Sequence, residues 1–458
     1  MPAHAPVLII GAGISGLVCA HALRKSGIDA QIVDSAPRPG GVVRTEHREG
    51  YLLELGPQSF SATPPLLGLC RDLGIEKELI EAPLHAPRFL LINGQLQQAP
   101  LTPPAFFTSP LFSLKTKWSV VRDALGRSTP PSQDESVANF VRRKFTPELL
   151  DRLVAPFVSG IYAGDPEKLS LRAAFPQLHE AEQAAGSVVR GLQRAAKSKP
   201  GPKQRPTLQT FRNGNETLIK ALAAKLGPAL RRSAEVTSIQ QNGAGQSGTR
   251  FVVDLKAGHV NETIVADRLV LATPPNATAN LLKAVLQDID PQLLKPEYAP
   301  LAVASLGYKK TDIAHSLEGF GFLVPRSEGR RILGTVWNSS LFPRRAPEGH
   351  ALLTSFLGGA TDPGVVDLPT EDILSIVHRD LTPILSISQA PVFSNVQLYE
   401  RALPQYNLGH VERISNLERQ CSYLVNVWLV GNYLHGPSIG TCVEQALNVA
   451  NEIRARAN

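Results

Sequence analysis

The stretch Val7-Leu-Ile-Ile-Gly11-Ala-Gly13-Ile-Ser-Gly16-Leu constrains this chain more than any other. A short apolar run stops at Gly11 and G-x-G-x-x-G follows. A helical pattern from Leu17 to Leu23 closes at Lys25-Ser-Gly27. A second apolar run, Ala30-Gln-Ile-Val, ends in the acid Asp34. Strand, tight turn, helix, strand and acid in that order predict a dinucleotide-binding βαβ unit. Gly11 permits the turn, Gly13 lets backbone approach a pyrophosphate, and Gly16 lets the helix lie close to the strand. The free N–H groups and positive dipole end of the helix face the phosphates. Asp34 accepts hydrogen bonds from ribose hydroxyls and repels a 2′-phosphate, which argues against NADP.

The chain has 458 residues, room for two or three domains and a large core. With 43% hydrophobic residues and mean hydropathy −0.05, a soluble globular protein is expected. No apolar run approaches the ~18–20 residues needed to span a bilayer. The first strand begins within a few residues of Met1, so no signal peptide is expected. Cys19, Cys70, Cys421 and Cys442 form no C-x-x-C pair and read as cytoplasmic thiols. No metal site is expected. A net charge of +7 permits attraction to anionic lipid or acidic substrates but is too diffuse for nucleic-acid binding.

Downstream, Glu49 to Ser59 reads as a strand entering a turn at Gly56-Pro57. Residues 64–80 read as a helix. Leu84 to Leu96 reads as a hairpin turning at Asn93-Gly94, with Arg88 at its entrance. Residues 99–131 carry Phe106, Phe107 and Phe112, then the basic amphipathic stretch Lys115-Thr-Lys117-Trp118-Ser-Val-Val-Arg122, which suits a membrane interface and equally an ordinary core. Residues 134–160 read as helical, Ala195–Pro206 as a flexible basic linker, and Gly214-Asn-Glu-Thr-Leu as a helix start. Ala234 to Leu255 reads as a hairpin turning at Asn242-Gly243. Leu269 to Leu271 and Val425 to Val430 read as buried strands, and the last helix starts near Ser438 and runs to Arg456. Nucleotide-type strand-turns at the start, middle and end imply a discontinuous nucleotide domain.

Arg38-Pro-Gly40-Gly41-Val42-Val-Arg44 places a second glycine pair straight after the acid. That pair resembles the second pyrophosphate contact of flavoproteins, so FAD is the expected nucleotide. Four further segments extend the likeness over nearly the whole chain: Phe157-Val-Ser-Gly160-Ile-Tyr-Ala-Gly-Asp165, Gly319 to Pro325, Leu403-Pro-Gln-Tyr-Asn-Leu-Gly-His410 and Gly431 to Glu444. The chain resembles the FAD-dependent protoporphyrinogen/coproporphyrinogen oxidases of the monoamine-oxidase superfamily. The protoporphyrinogen branch is the nearer one.

The resemblance implies an α/β fold: a discontinuous Rossmann-type FAD domain (1–82, 203–274, 409–458), a mixed-sheet substrate domain (83–88, 152–202, 275–408) and a helical membrane-associated insertion (89–151). It implies FAD contacts at Gly11, Ala12, Gly13, Ile14, Ser15, Gly16, Asp34, Ser35, Gly41, Val42, Arg44, Gly56, Pro57, Gln58, Ser59, Val236, Val411, Pro437, Ser438 and Ile439. Relatives often have Asn where this chain has Gln58. The implied substrate slot is Arg88, Gly160, Leu323, Val336 and Phe356: apolar walls for a porphyrinogen ring and one cation for a propionate. The implied reaction removes six electrons, two per flavin cycle, with O2 reduced to H2O2. No side chain acts as catalytic acid or base, and His85, His179 and His410 read as structural. The resemblance also implies a homodimer, peripheral on the inner face of the cytoplasmic membrane, that hands its product to the next haem-pathway enzyme. The rival readings are a coproporphyrinogen oxidase, an amine or carotenoid oxidase of the same superfamily, and a non-catalytic membrane-associated carrier.

Overall fold

The computed structural model describes residues 2–198, 207–245, 248–283 and 290–457. Its centre is a five-stranded parallel sheet in the order Leu230–Arg231, Ala30–Val33, Val7–Ile10, Leu269–Leu271, Val427–Leu429. Val7 to Ile10 is buried on both faces, as a central parallel strand requires. Val7 and Ile9 face a helical layer that includes Leu17, Leu23, Ile219 and Val443. Leu8 and Ile10 face Phe251, Val253 and Leu417 on the other side. The fingerprint helix Ile14–Lys25 packs against the C-terminal helix Ile439–Ala457. Ala3–Ala5, Val260–Ala266, Gly248–Ala257 and Ala234–Gly245 form a four-stranded sheet on the second face.

A seven-stranded mixed sheet runs Phe393–Pro404, Tyr298–Lys309, His350–Gly358, Ile332–Trp337, Gly321–Leu323, Arg88–Ile92, Gln95–Gln98. Ile373, Val377, Leu381 and Leu385 of the helix Thr370–Leu385 pack on one of its faces. The mixed α/β class is as expected. The hairpin turn is as expected too: Asn93 and Gly94 both have positive φ, the conformation a two-residue type I′ turn demands. Because that hairpin is part of the seven-stranded sheet, helical structure within 89–151 begins only at Pro103.

Three sequence expectations need correction. The helix expected over 64–80 stops at Leu73, where Gly74 enters the left-handed region; a short 3-10 turn and the strand Leu79–Glu81 follow. The turn expected at Asn242-Gly243 comes later, since Asn242 pairs with Arg250 and the two strands run to Gly245 and from Gly248. The helical reading of 134–160 holds, in pieces. Thr146 caps a new start at Pro147, and Leu150–Val154 is a π turn leading into Ala155–Tyr162. The expected linker begins as helix, because Val188–Ser198 runs through Ala195 to Ser198. Its remainder, 199–206, lies outside the described residues.

Candidate active site

The helix Ile14–Lys25 begins without a side-chain cap and with no acid in its first turn. Its first intrahelical bond is Leu17 N–H to the Gly13 carbonyl. The preceding N–H groups are therefore left for an anion. A Cβ on Gly13 would meet nothing within 4 Å, so open space lies over the turn; one on Gly16 would sit 1.9 Å from the Gly11 carbonyl oxygen. Asp34 accepts from Ala12 N–H at 2.5 Å and Ala36 N–H at 2.7 Å, which holds its carboxylate at the end of its strand beside the turn. Ser35 beside it is exposed.

The second glycine pair closes onto the first turn. Gly40 N–H donates to the Ala12 carbonyl at 2.7 Å, and a Cβ on Gly41 would lie 3.6 Å from Gly13 Cα. Arg38 donates to the carbonyls of Pro39, Gly41 and Val43 and holds this loop in shape. That role was readable only as a basic residue before Pro-Gly-Gly. Arg44 is ion-paired with Glu46. Val42 is exposed, and its carbonyl packs so tightly on Gly56 that a Cβ there would approach within 2.0 Å. The two glycine turns and the Gly56–Ser59 turn thus lie against one another. Val236 is carried into the same region, because Ala234 N–H bonds the Asp34 carbonyl.

Gln58 carries no free amide. Its Nε2 donates to the carbonyls of Glu54 and Gly56, and its Oε1 accepts from Asn338 Nδ2 at 2.7 Å. The longer side chain acts as a strut between this turn and the seven-stranded sheet. Asn338 has no sequence signal that would have found it. Asn215 binds the Pro57 carbonyl from below, and its backbone N–H donates to the buried carboxyl of Glu54. Pro437, Ser438 and Ile439 stand at the start of the C-terminal helix, where the Cys442 thiol reaches back to the Gly436 carbonyl at 3.9 Å. Val411 directly follows this loop's anchor, His410.

Strand register decides what the slot residues share. Arg88 pairs with Gly321, Gly321 with Val336 and Val336 with Thr354. Two residues along, Leu90 pairs with Leu323, Leu323 with Gly334 and Gly334 with Phe356. Paired residues point to the same side, as do residues two apart. Arg88, Val336, Leu323 and Phe356 therefore share one face in two adjacent rows. Gly160 lies over it on the helix Ala155–Tyr162, and a Cβ there would come within 2.6 Å of Leu323 Cδ2. Arg88 is half-buried, with its guanidinium 4.9 Å from the centre of the Phe320 ring. Burial lowers its pKa, and no carboxylate pairs with it among the described residues. A planar cation at one end of an apolar face is a receptor for a carboxylate on an apolar molecule.

The glycine turns, the uncapped helix start and the placed acid fit a dinucleotide. The family model described as flavin containing amine oxidoreductase matches residues 14–454. A chloroplastic protoporphyrinogen oxidase of Oryza sativa is 36% identical over 98% of this chain and 88% of its own length. A coproporphyrinogen III oxidase of Bacillus subtilis is 30% identical over 96% of each chain. Among solved structures, a reduced UDP-galactopyranose mutase superposes with TM-score 0.74 at 16% identity, covering 99% of this chain and 96% of that one. That last likeness concerns the fold alone.

Proposed function

We propose that this chain, which belongs to the flavin containing amine oxidoreductases and uses FAD, oxidises protoporphyrinogen to protoporphyrin. The observation that carries the substrate class is Arg88, a half-buried cation that pairs with no carboxylate among the described residues, at the end of the apolar face made by Leu323, Val336 and Phe356. A porphyrinogen is an apolar macrocycle with carboxylates on one edge, and this face matches both halves of it.

Gly11 to Gly16, Gly41 and Val42 would hold the pyrophosphate, Asp34 the adenosine ribose, and the Gly56–Ser59 and Pro437–Ile439 turns the flavin end. Bound FAD supplies hydride acceptance and reoxidation by O2, with release of H2O2. What this chain's residues contribute is orientation and dryness. Arg88 grips a propionate, Leu323, Val336 and Phe356 align the ring, and the helix carrying Gly160 covers the face. No side chain is assigned a proton transfer. Aerobic turnover, read as porphyrin fluorescence for protoporphyrinogen and coproporphyrinogen and as H2O2 release for a primary amine, is the deciding experiment. The highest kcat/KM is expected for protoporphyrinogen, which carries two propionates for the single slot cation where coproporphyrinogen carries four. A higher value for coproporphyrinogen selects the second reading, which the Bacillus relative favours. Turnover of the amine alone overturns both.

We also propose that residues 99–122 dock on the inner face of the cytoplasmic membrane. The helix Leu114–Leu125 supports this by being inverted. Thr116, Ser119 and Asp123 are buried, while Leu114 is 83% and Trp118 63% exposed beside Lys115 and Lys117. Thr116 hydroxyl bonds Thr146 and Glu148, and Asp123 pairs with Lys144 at 2.6 Å. The polar side is thus satisfied inside, and the apolar side is left outward with cations around it. No described helix is long and apolar enough to cross a membrane. A homodimer and hand-over to the next haem-pathway enzyme are proposed from the family resemblance; sedimentation of the purified protein tests the first.

A further inference from the structure

We propose that Leu403–His410 is a latch that fixes the loop Asn432–Ser438 in front of the C-terminal helix, with Tyr406 and His410 as positioning residues for the flavin. The proposal rests on the FAD reading above. This segment leaves the end strand of the seven-stranded sheet, and its polar groups reach in two directions. Toward the loop, Tyr406 hydroxyl donates to the Asn432 carbonyl and His410 Nε2 donates to the Leu434 carbonyl at 2.9 Å. Toward the slot, Gln405 Nε2 donates to the Tyr162 carbonyl at 2.9 Å, at the end of the helix that carries Gly160. Ser170 N–H donates to the Tyr406 carbonyl and Leu408 N–H to that of Lys168.

The chemistry of His410 is set by its partners. An arginine side chain has only donors, and Arg413 reaches His410 Nδ1 at 2.7 Å. Nδ1 is therefore the acceptor, and the proton resides on Nε2, where the Leu434 carbonyl needs it. Burial, with Arg413 adding to it, pushes the imidazole pKa down to about 4, so the ring is neutral and keeps this tautomer. The Tyr406 and His410 rings lie 4.4 Å apart, and both residues are buried. Neither group has a solvent-facing task; both spend their donors on two carbonyls of one loop.

That loop ends at the fingerprint. Ser438 hydroxyl accepts from Thr441 N–H at the head of the C-terminal helix, which packs along the fingerprint helix Ile14–Lys25. One segment therefore sets the spacing between the slot helix and the loop expected beside the flavin. Displacements of about 1 Å between reacting groups can lower a rate roughly 100-fold, so this joint need only loosen, not break, to matter.

The test uses purified protein stripped of FAD and titrated with it, read by flavin fluorescence, visible spectrum and reduction potential. Wild type is expected to bind FAD; if it does not, the FAD reading itself fails. Tyr406→Phe and His410→Phe are expected to weaken FAD about tenfold each, as a buried hydrogen bond is lost. They should also shift the flavin bands and potential, with circular dichroism unchanged. His410→Gln restores a donor toward Leu434 and is expected to recover the wild-type spectrum. Should His410→Phe fail to fold, Tyr406→Phe, which removes one oxygen atom, decides alone. If wild type binds FAD and folded Tyr406→Phe has the same affinity, spectrum and potential, the latch is overturned.

Discussion

Glu54 offers the sharpest physical test, because its carboxyl is buried beneath the Gly56–Ser59 turn. It accepts from Thr45 hydroxyl at 2.9 Å and Asn215 N–H at 2.8 Å. Burial pushes its pKa up to about 8, against the opposing pull of those donors and the Arg345 guanidinium. The folded state thus keeps a proton that the unfolded chain releases near 4.5. Stability from this group is complete below the unfolded value and is lost as pH rises through the folded one. The slope is up to ~1.4 kcal/mol per pH unit, which accumulates to roughly 3–5 kcal/mol by pH 9. Glu54→Gln removes the titration while keeping the shape. Its amide oxygen can face Asn215 N–H, and its NH2 can face Thr45, whose hydroxyl rotates to accept. Denaturant unfolding at fixed FAD saturation, at pH 5.5, 7 and 9, reads the difference. The variant should gain on wild type by on the order of 3 kcal/mol between the extremes. Parallel curves would mean Glu54 is already ionised in the fold and would refute the argument.

Three further outcomes are expected. Arg88→Ala should lower porphyrinogen kcat/KM roughly 10- to 100-fold, Arg88→Lys should recover part, and flavin content should hold; loss of activity only through loss of flavin would place the propionate anchor elsewhere. Asp34→Ala should weaken FAD by roughly 1–3 kcal/mol, and unchanged occupancy after dialysis would count against its ribose role. Flotation with anionic liposomes should succeed at low salt and fade as salt rises, each basic residue near the surface contributing ~1 kcal/mol; protein that stays at the bottom of a low-salt gradient would make residues 99–122 an ordinary surface.

The parts of this architecture that could be read in advance are those whose causes are local. The βαβ unit is written in adjacent residues, and so is the Asn93-Gly94 turn. Gly74 is a local signal too, but the leucine spacing over 64–80 outweighs it and predicts a helix longer than the one that forms. The slot was legible only through resemblance. Arg88 meets Gly321 by strand register across more than half the chain, and no pattern near either residue announces it. Periodicity misleads on the helix Leu114–Leu125, since its buried stripe is Thr116, Ser119 and Asp123. Asn338 and Glu54 share that difficulty: their importance comes from partners, Gln58 and Asn215, brought from other elements.

The central parallel sheet also dictates a schedule. The strand Val7–Ile10 is made long before two of its sheet partners: one neighbour is Leu269–Leu271, and beyond that lies Val427–Leu429. The helix after it waits for Ile439–Ala457. At ~5–20 residues per second, the opening βαβ unit spends on the order of tens of seconds with apolar faces uncovered before its last partner is made. In a nascent chain of this kind the aggregation-prone apolar surface lies in the early segments rather than the late ones. The turn Pro437–Ile439, assigned above to the flavin end, is made only after that interval.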